Sequence, residues 1–211
     1  MSKPNLYYKK ERVIVYVDGF NLYFGLKEAG FLSSKWLYIK RLCIDLLKPN
    51  QTLAEVKYFT SRVSNNPDKQ KRQTTYLEAL QTTGVKVYYG HYQTTKAECR
   101  TCGATWSTFN EKMTDVNIAT QMIMDAYSDR CDMAMLISGD SDLVPPIIAI
   151  HGNFPGKRVF VAFPPKRHNS SVANVSKGSL VIGRKKLINN QLPSEVMKSD
   201  GVILRKPSEW I

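Results

Sequence analysis

Five short apolar runs recur along the chain, at 13–17 (VIVYV), 56–60 (VKYFT), 85–89 (VKVYY), 133–137 (MAMLI) and 159–163 (VFVAF). Stretches with helical periodicity separate them, and that alternation is the sequence sign of a parallel sheet joined by crossover helices. Strands covered on both faces read as continuous Val-, Ile- and aromatic-rich runs. The expected fold class is therefore α/β: a three-layer α/β/α sandwich around a central, mostly parallel sheet of about five strands. With 211 residues and 43% hydrophobic content, the chain can bury one substantial core, and no second domain is required.

The helices are placed by their caps and faces. Asp68 is the expected cap of a helix over 69–83, with Tyr76, Leu77 and Leu80 on one side and Gly84 past the end. Thr114 is the expected cap of the next, whose predicted inner face is Val116, Ala119, Ile123 and Ala126. A third starts near Ser141, carries Leu143, Ile147 and Ile150, tolerates Pro145 in its opening turn and stops at Gly152. Residues 93–112 follow neither period and read as an inserted loop. The expected layout is a basic arm at 1–11, a main domain at 12–178 and an extension at 179–211 that packs on or flanks it.

Thirty Lys and Arg against eighteen Asp and Glu give a formal charge of +12. The basic residues cluster, as at 69–72, 166–168 and 184–186, which suits a polyanion as well as an ordinary solvated surface. No stretch approaches the roughly 18 apolar residues that span a bilayer, and the first twelve residues lack an apolar leader segment. Four unevenly spaced cysteines do not make a disulfide framework. The expectation is a cytoplasmic protein without a membrane partner.

Against this basic background, four acids stand where an apolar run ends or a helix begins: Asp18 after VIVYV, Asp115 in a first turn, and Asp140 and Asp142 after MLIS. In open α/β sheets ligands bind beyond the carboxyl ends of the strands. If the first and fourth runs are neighbouring strands, three of these carboxylates share a crevice and Asp115 closes its fourth side. Several hard oxygen ligands around one point suit Mg²⁺ or Mn²⁺, which keep waters for a substrate phosphate. Taken singly, each acid has a plainer role, Asp18 as a turn former and Asp142 as a helix-start residue.

The segments VIVYVDGFNLY at 13–23, KMTDVNIATQMIMDA at 112–126 and LISGDSDLVPPI at 136–147 resemble the three signature segments of NYN domains, in the PIN-like nuclease superfamily. The resemblance implies a PIN-like fold and metal-dependent RNA cleavage, with Asp18, Asp115, Asp140 and Asp142 as the catalytic and metal-holding acids. It implies in-line hydrolysis of a phosphodiester by a cation-activated water, with no side-chain nucleophile. Asn21 matches the family's Asn in DGxN and is expected beside the ligands.

Ser138 and Ser141 flank Gly139–Asp140 and are candidate donors to a carboxylate or phosphate, or plain turn serines. Arg62, after the second run, is a candidate phosphate contact. Lys112 either faces substrate or pairs with Glu111. One of Phe20, Tyr23 and Phe24 is placed to stack on an unpaired base, although core roles are the alternative. Cys99 and Cys102, with His91 upstream, offer part of a structural Zn²⁺ site, or simply reduced thiols in a loop. The expected partner is nucleic acid, RNA favoured over DNA, and a homo-oligomer stays open. The competing reading is an RNA-binding NYN module with weak or no cleavage, although such a module has no use for clustered acids that repel phosphate. A phosphatase of the haloacid-dehalogenase type would need a second acid two residues after Asp18, where Phe20 stands.

Overall fold

The computed structural model describes residues 10–63, 66–98 and 101–210. In chain order its elements are β1 (Glu11–Asp18), α1 (Gly19–Glu28), α2 (Ile39–Leu46), β2 (Gln51–Thr60), α3 (Pro67–Thr82), β3 (Lys86–Tyr89), β4 (His91–Glu98) and β5 (Thr105–Lys112). There follow α4 (Thr114–Tyr127), β6 (Met133–Ile137), α5 (Val144–Asn153), β7 (Arg158–Phe163), α6 (Ser170–Val175) and β8 (Ser179–Val181). The chain continues with α7 (Arg184–Asn189), β9 (Glu195–Met197) and β10 (Ile203–Arg205). Nearly all of the basic arm, residues 1–9, and Cys99 lie outside the described residues.

The fold is α/β, with one six-stranded sheet in the order β3-β2-β1-β6-β7-β8, every pair parallel. All five apolar runs lie in it. The sixth strand, β8, settles one of three open readings of the tail from Leu180, an extra strand, a dimer contact or an RNA-binding edge, which three residues without a period, SLV, could not separate. Side chains of β1 alternate between two cores. Val13, Val15 and Val17 meet Leu22, Leu26, Leu42 and Leu77 on one side, while Ile14 and Tyr16 meet Ile118, Met122, Ile147 and Val172 on the other. These are the three layers, and they explain the uninterrupted VIVYV: neither face meets water. The tail adds Leu187, Leu192, Leu204 and Trp210 to the first core.

Several helix details differ from expectation. Asn66, rather than Asp68, caps α3, accepting from the backbone N–H of Lys69 at 2.9 Å, with Pro67 at the first helical position. Met113, with φ of 77°, precedes α4 and no side chain caps it; Thr114 is instead buried, its hydroxyl 3.4 Å from that of Ser61. The inner face of α4 is Thr114, Ile118, Met122, Asp125 and Ala126, leaving Val116 64% exposed. An apolar count missed this face because a charge belongs to it. Fully buried Lys57 on β2 donates to Asp125 at 2.5 Å and to Gln121 at 2.7 Å. Tyr16 and Arg130 also donate to Asp125, at 2.7 and 2.9 Å. β4 and β5, across the segment 93–112 expected as a loop, pair antiparallel with each other and, among the described residues, with no other strand, so they carry little core signature. Among the described residues, no helix is long and apolar enough to cross a membrane.

Candidate metal centre

The strand order reverses direction at β1: the chain builds outward through β2 and β3, then returns to add β6, β7 and β8 on the other side. A crevice opens at such a switch point beyond the strand ends, because the flanking connections leave to opposite faces. Asp18 ends β1 and Asp140 follows β6, so the two acids stand on its rims. The first turn of α4 brings Asp115 over the same point. One carboxylate oxygen each from Asp18, Asp115 and Asp140 lie within 4.8 Å of one another.

Hydrogen bonds fix this arrangement. Asp18 is 4% exposed and caps α1, its Oδ1 accepting from the backbone N–H of Asn21 at 3.0 Å. Its Oδ2 accepts from the Ser138 hydroxyl at 2.8 Å, and the same Ser138 oxygen accepts from the backbone N–H of Asp140 at 3.1 Å. Asn21 Oδ1 accepts from the Gly139 N–H at 2.9 Å. Two short polar side chains thus tie the β1 turn to the β6 turn. Gly139 permits the closeness, since a Cβ there would stand 1.8 Å from the carbonyl oxygen of Arg167. Gly139→Ala is therefore expected to push the β6 turn from the 164–167 segment, destabilise the fold by about 1–3 kcal/mol and weaken the thermal shift given by added Mn²⁺. Unchanged melting with and without the metal would count against that reading.

Asp142 stands apart from the triad. It is exposed on the 3₁₀ turn Ser141–Leu143, its N–H donating to Asp140 Oδ1 at 3.0 Å. Ser141 is exposed at the start of that turn. Arg62 is exposed just beyond β2 with its guanidinium 5.0 Å from the Tyr89 ring centroid. Lys112 pairs through its backbone with His91 at the hairpin base, and its side chain lies outside the described part. Of the three zinc candidates Cys99 lies outside the described residues, and the other two stand apart: His91 at the base of the hairpin and exposed Cys102 at its tip, seven strand positions from one end to the other. That separation is about 20 Å at the usual rise of a strand. Sequence reading gave Arg167 no role beyond its basic cluster, yet the fold sets its backbone against Gly139 and pairs its guanidinium with Glu28.

The electrostatics are those of a site short of positive charge. Burial pushes the Asp18 carboxyl up, opposed by its hydrogen bonds from Asn21 and Ser138 and reinforced by Asp140. Burial, then the charges of Asp18, Asp140 and Asp142, push Asp115 up to about 6. The proton on Asp115 is thus favoured in the folded state, so this group's contribution to stability is full below pH 3.8 and is lost as pH rises through 6. A bound cation reverses the sign, because it needs the ionised form. The rise in melting temperature on adding Mn²⁺ is accordingly expected to be larger at pH 7.5 than at pH 5.5. Equal shifts at both values would remove Asp115 from the ligand set.

The donor set fits a hard divalent cation: three carboxylates converge, and two of them, Asp115 and Asp140, are only partly buried. The sequence profile of the NYN domain family matches residues 12–181. A Pseudomonas putida protein, 6-hydroxy-3-succinoylpyridine 3-monooxygenase HspA, is 24% identical over 242 aligned positions, which cover 94% of this chain and 75% of that protein. A solved structure of a Vibrio parahaemolyticus protein of unknown function superposes with a TM-score of 0.57 at 20% identity, covering 91% of this chain and all of that one. That likeness speaks for the fold.

Proposed function

This chain belongs to the NYN domain family, and on that premise we propose that it is a metal-dependent ribonuclease that hydrolyses phosphodiester bonds. The observation that carries the proposal is the convergence of Asp18, Asp115 and Asp140 at the sheet's switch point, with oxygens within 4.8 Å, in a chain of formal charge +12. Like charges brought together in a basic protein are costly unless a cation holds them. Asp18, Asp115 and Asp140 would hold Mg²⁺ or Mn²⁺, with Asp142 reaching it through water or adding field. When bound, the cation supplies Lewis acidity at the phosphoryl oxygens and a water of lowered pKa.

The chain's own contribution is orientation and charge. Ser138 keeps Asp18 and Asp140 at a fixed separation, and Asn21 keeps the Gly139 turn from drifting. Ser141, exposed after Asp140, and Arg62, exposed just beyond β2, would meet phosphate oxygens of the strand. The surrounding basic surface draws in the polyanion and makes binding salt-dependent. RNA is favoured over DNA because the family resemblance and the aromatic side chains beside the site both suit unpaired strands.

The test is incubation of labelled single-stranded RNA and DNA with the purified protein in Mn²⁺, Mg²⁺ or EDTA. Cutting that needs metal supports the proposal and names the polymer, whereas binding without cutting in any metal would leave an RNA-binding module. The Pseudomonas relative suggests a second reading, conversion of a small pyridine. What favours it here is a cleft of about 380 Å³ beside the acids, lined by aromatic rings and lysines. Absence of any nucleic-acid affinity would turn attention to it.

A further inference from the structure

The cleft lies on the α1–α3 side of the sheet, on the far side of β1 from Asp115. Gly19 and Thr60 both line it, one immediately after Asp18 and the other at the end of β2, so its wall begins one residue from Asp18. Its walls carry Phe20, Tyr23, Phe24 and Tyr58. The Phe20 and Phe24 rings stack with centroids 6.3 Å apart, and Tyr23 meets Phe24 edge-on at 5.4 Å. Phe24 is 42% exposed, so its ring is open to a ligand entering the cleft.

The rim is cationic. Lys27, Lys35, Lys69 and Arg72 all line the cleft, against a single carboxylate, Glu209. That carboxylate is taken by Arg72 at 2.6 Å, and Lys35 sits 4.7 Å from the centroid of the Tyr23 ring. Among the described residues, Lys27, Lys35 and Lys69 make no ion pair. Flat apolar walls under a positive rim are complementary to a planar aromatic group joined to a negative charge, as in a nucleotide or an aromatic acid. At about 380 Å³ the cleft falls in the range of about 300–1,000 Å³ typical of small-ligand sites.

We propose that this cleft receives one unpaired base of the RNA strand, a nucleotide beside the phosphate held at the acid triad, with exposed Phe24 stacking on the base, Tyr23 meeting its edge and Lys27 and Lys69 meeting its flanking phosphates. The inference rests on the ribonuclease reading. A base is favoured over a free aromatic acid because Gly19, on the cleft wall, directly follows Asp18, so one strand could reach from the acids into the cleft. It makes the enzyme selective for single strands, since a paired base cannot leave its stack without cost.

The test separates the two claims by measuring binding in EDTA, apart from cleavage. Single-stranded RNA oligomers with one abasic position, moved stepwise along the strand, are titrated by fluorescence anisotropy. At one position, loss of the base is expected to weaken binding by roughly 5- to 100-fold. Tyr23→Ala and Phe24→Ala should weaken binding of the intact strand by a similar factor and remove that position's effect. Lys27→Glu should weaken it with a shallower salt dependence. Equal binding of all abasic strands, with the variants matching the parent, would overturn the cleft proposal while metal-dependent cutting in Mn²⁺ still upheld the nuclease. Conversely, a base-sensitive cleft in a protein that cuts nothing would uphold the binding site and sink the nuclease. Displacement of RNA by nicotinate but not by a mononucleotide would also overturn the proposal, giving the cleft to a small aromatic acid.

Discussion

Asp140→Asn is expected to lower metal-dependent cleavage by more than about 100-fold, beyond the 10- to 100-fold typical of losing a residue that only orients a ligand. The substitution isolates charge from structure. Asp140 caps the turn Ser141–Leu143 through Oδ1, which accepts from the Asp142 N–H at 3.0 Å, and Asn offers the same acceptor in the same shape. What it removes is a negative oxygen in the triad. The variant should therefore melt at or above the temperature of the unaltered protein without metal, since like-charge repulsion is relieved, and should show a diminished Mn²⁺ shift. Asp18 is a poorer choice, because its buried carboxylate accepts from both Asn21 and Ser138 and its replacement disturbs the turn as well. Ser138→Ala should fall between, with a loss of about 10- to 100-fold, because both acids remain but the hydroxyl that spans them is gone. Full activity in Asp140→Asn would show that cutting takes place elsewhere or comes from a contaminant.

Asp125→Ala is expected to cost about 3–5 kcal/mol of stability in urea unfolding, the usual penalty for stranding a buried charge. Lys57 is fully buried, and its ammonium is held by Asp125 at 2.5 Å and Gln121 at 2.7 Å. Without Asp125 the nearest anion is Glu55 at 3.9 Å, which is already engaged by Arg130. The Tyr16 hydroxyl would lose its acceptor too. Lys57→Met should be milder, because Asp125 keeps Arg130 and Tyr16 as donors and the new side chain fills the same space. Since α4 carries both Asp125 and Asp115, loosening its seat on β1 and β2 should also reduce the Mn²⁺ response. A loss below about 1 kcal/mol would mean that the Lys57 ammonium finds another partner or reaches water.

The strands were legible from the chain because both faces of the sheet are covered, which leaves an unbroken apolar run at each of the five positions read. The acids were legible for a related reason: a run that must end in a crevice ends on a residue suited to that crevice, so DG after VIVYV and SGD after MLI stood out. Helix α2 was readable but unread, with Ile39, Leu42, Cys43 and Leu46 at three- and four-residue steps. Helix α1 was harder, because its buried positions include Gly19 and Gly25, which carry no hydrophobic signal.

What the sequence determined by itself is whatever depends on near neighbours in the chain and on burial: the α/β class, the existence of the main strands, and the four candidate acids. What only the tertiary structure decided depends on residues far apart meeting. The β1–β6 pairing put Asp18 and Asp140 together while leaving Asp142 outside the triad, and the buried Lys57 turned α4 to its Asp125 face. The hairpin held His91 away from Cys102, and α1 and α3 enclosed a basic, aromatic cleft beside the triad. The reason is physical. Burial free energy is largely a sum over individual side chains and leaves its trace in local pattern, whereas ion pairs, ligand clusters and clefts are properties of pairs and groups whose members local pattern does not link.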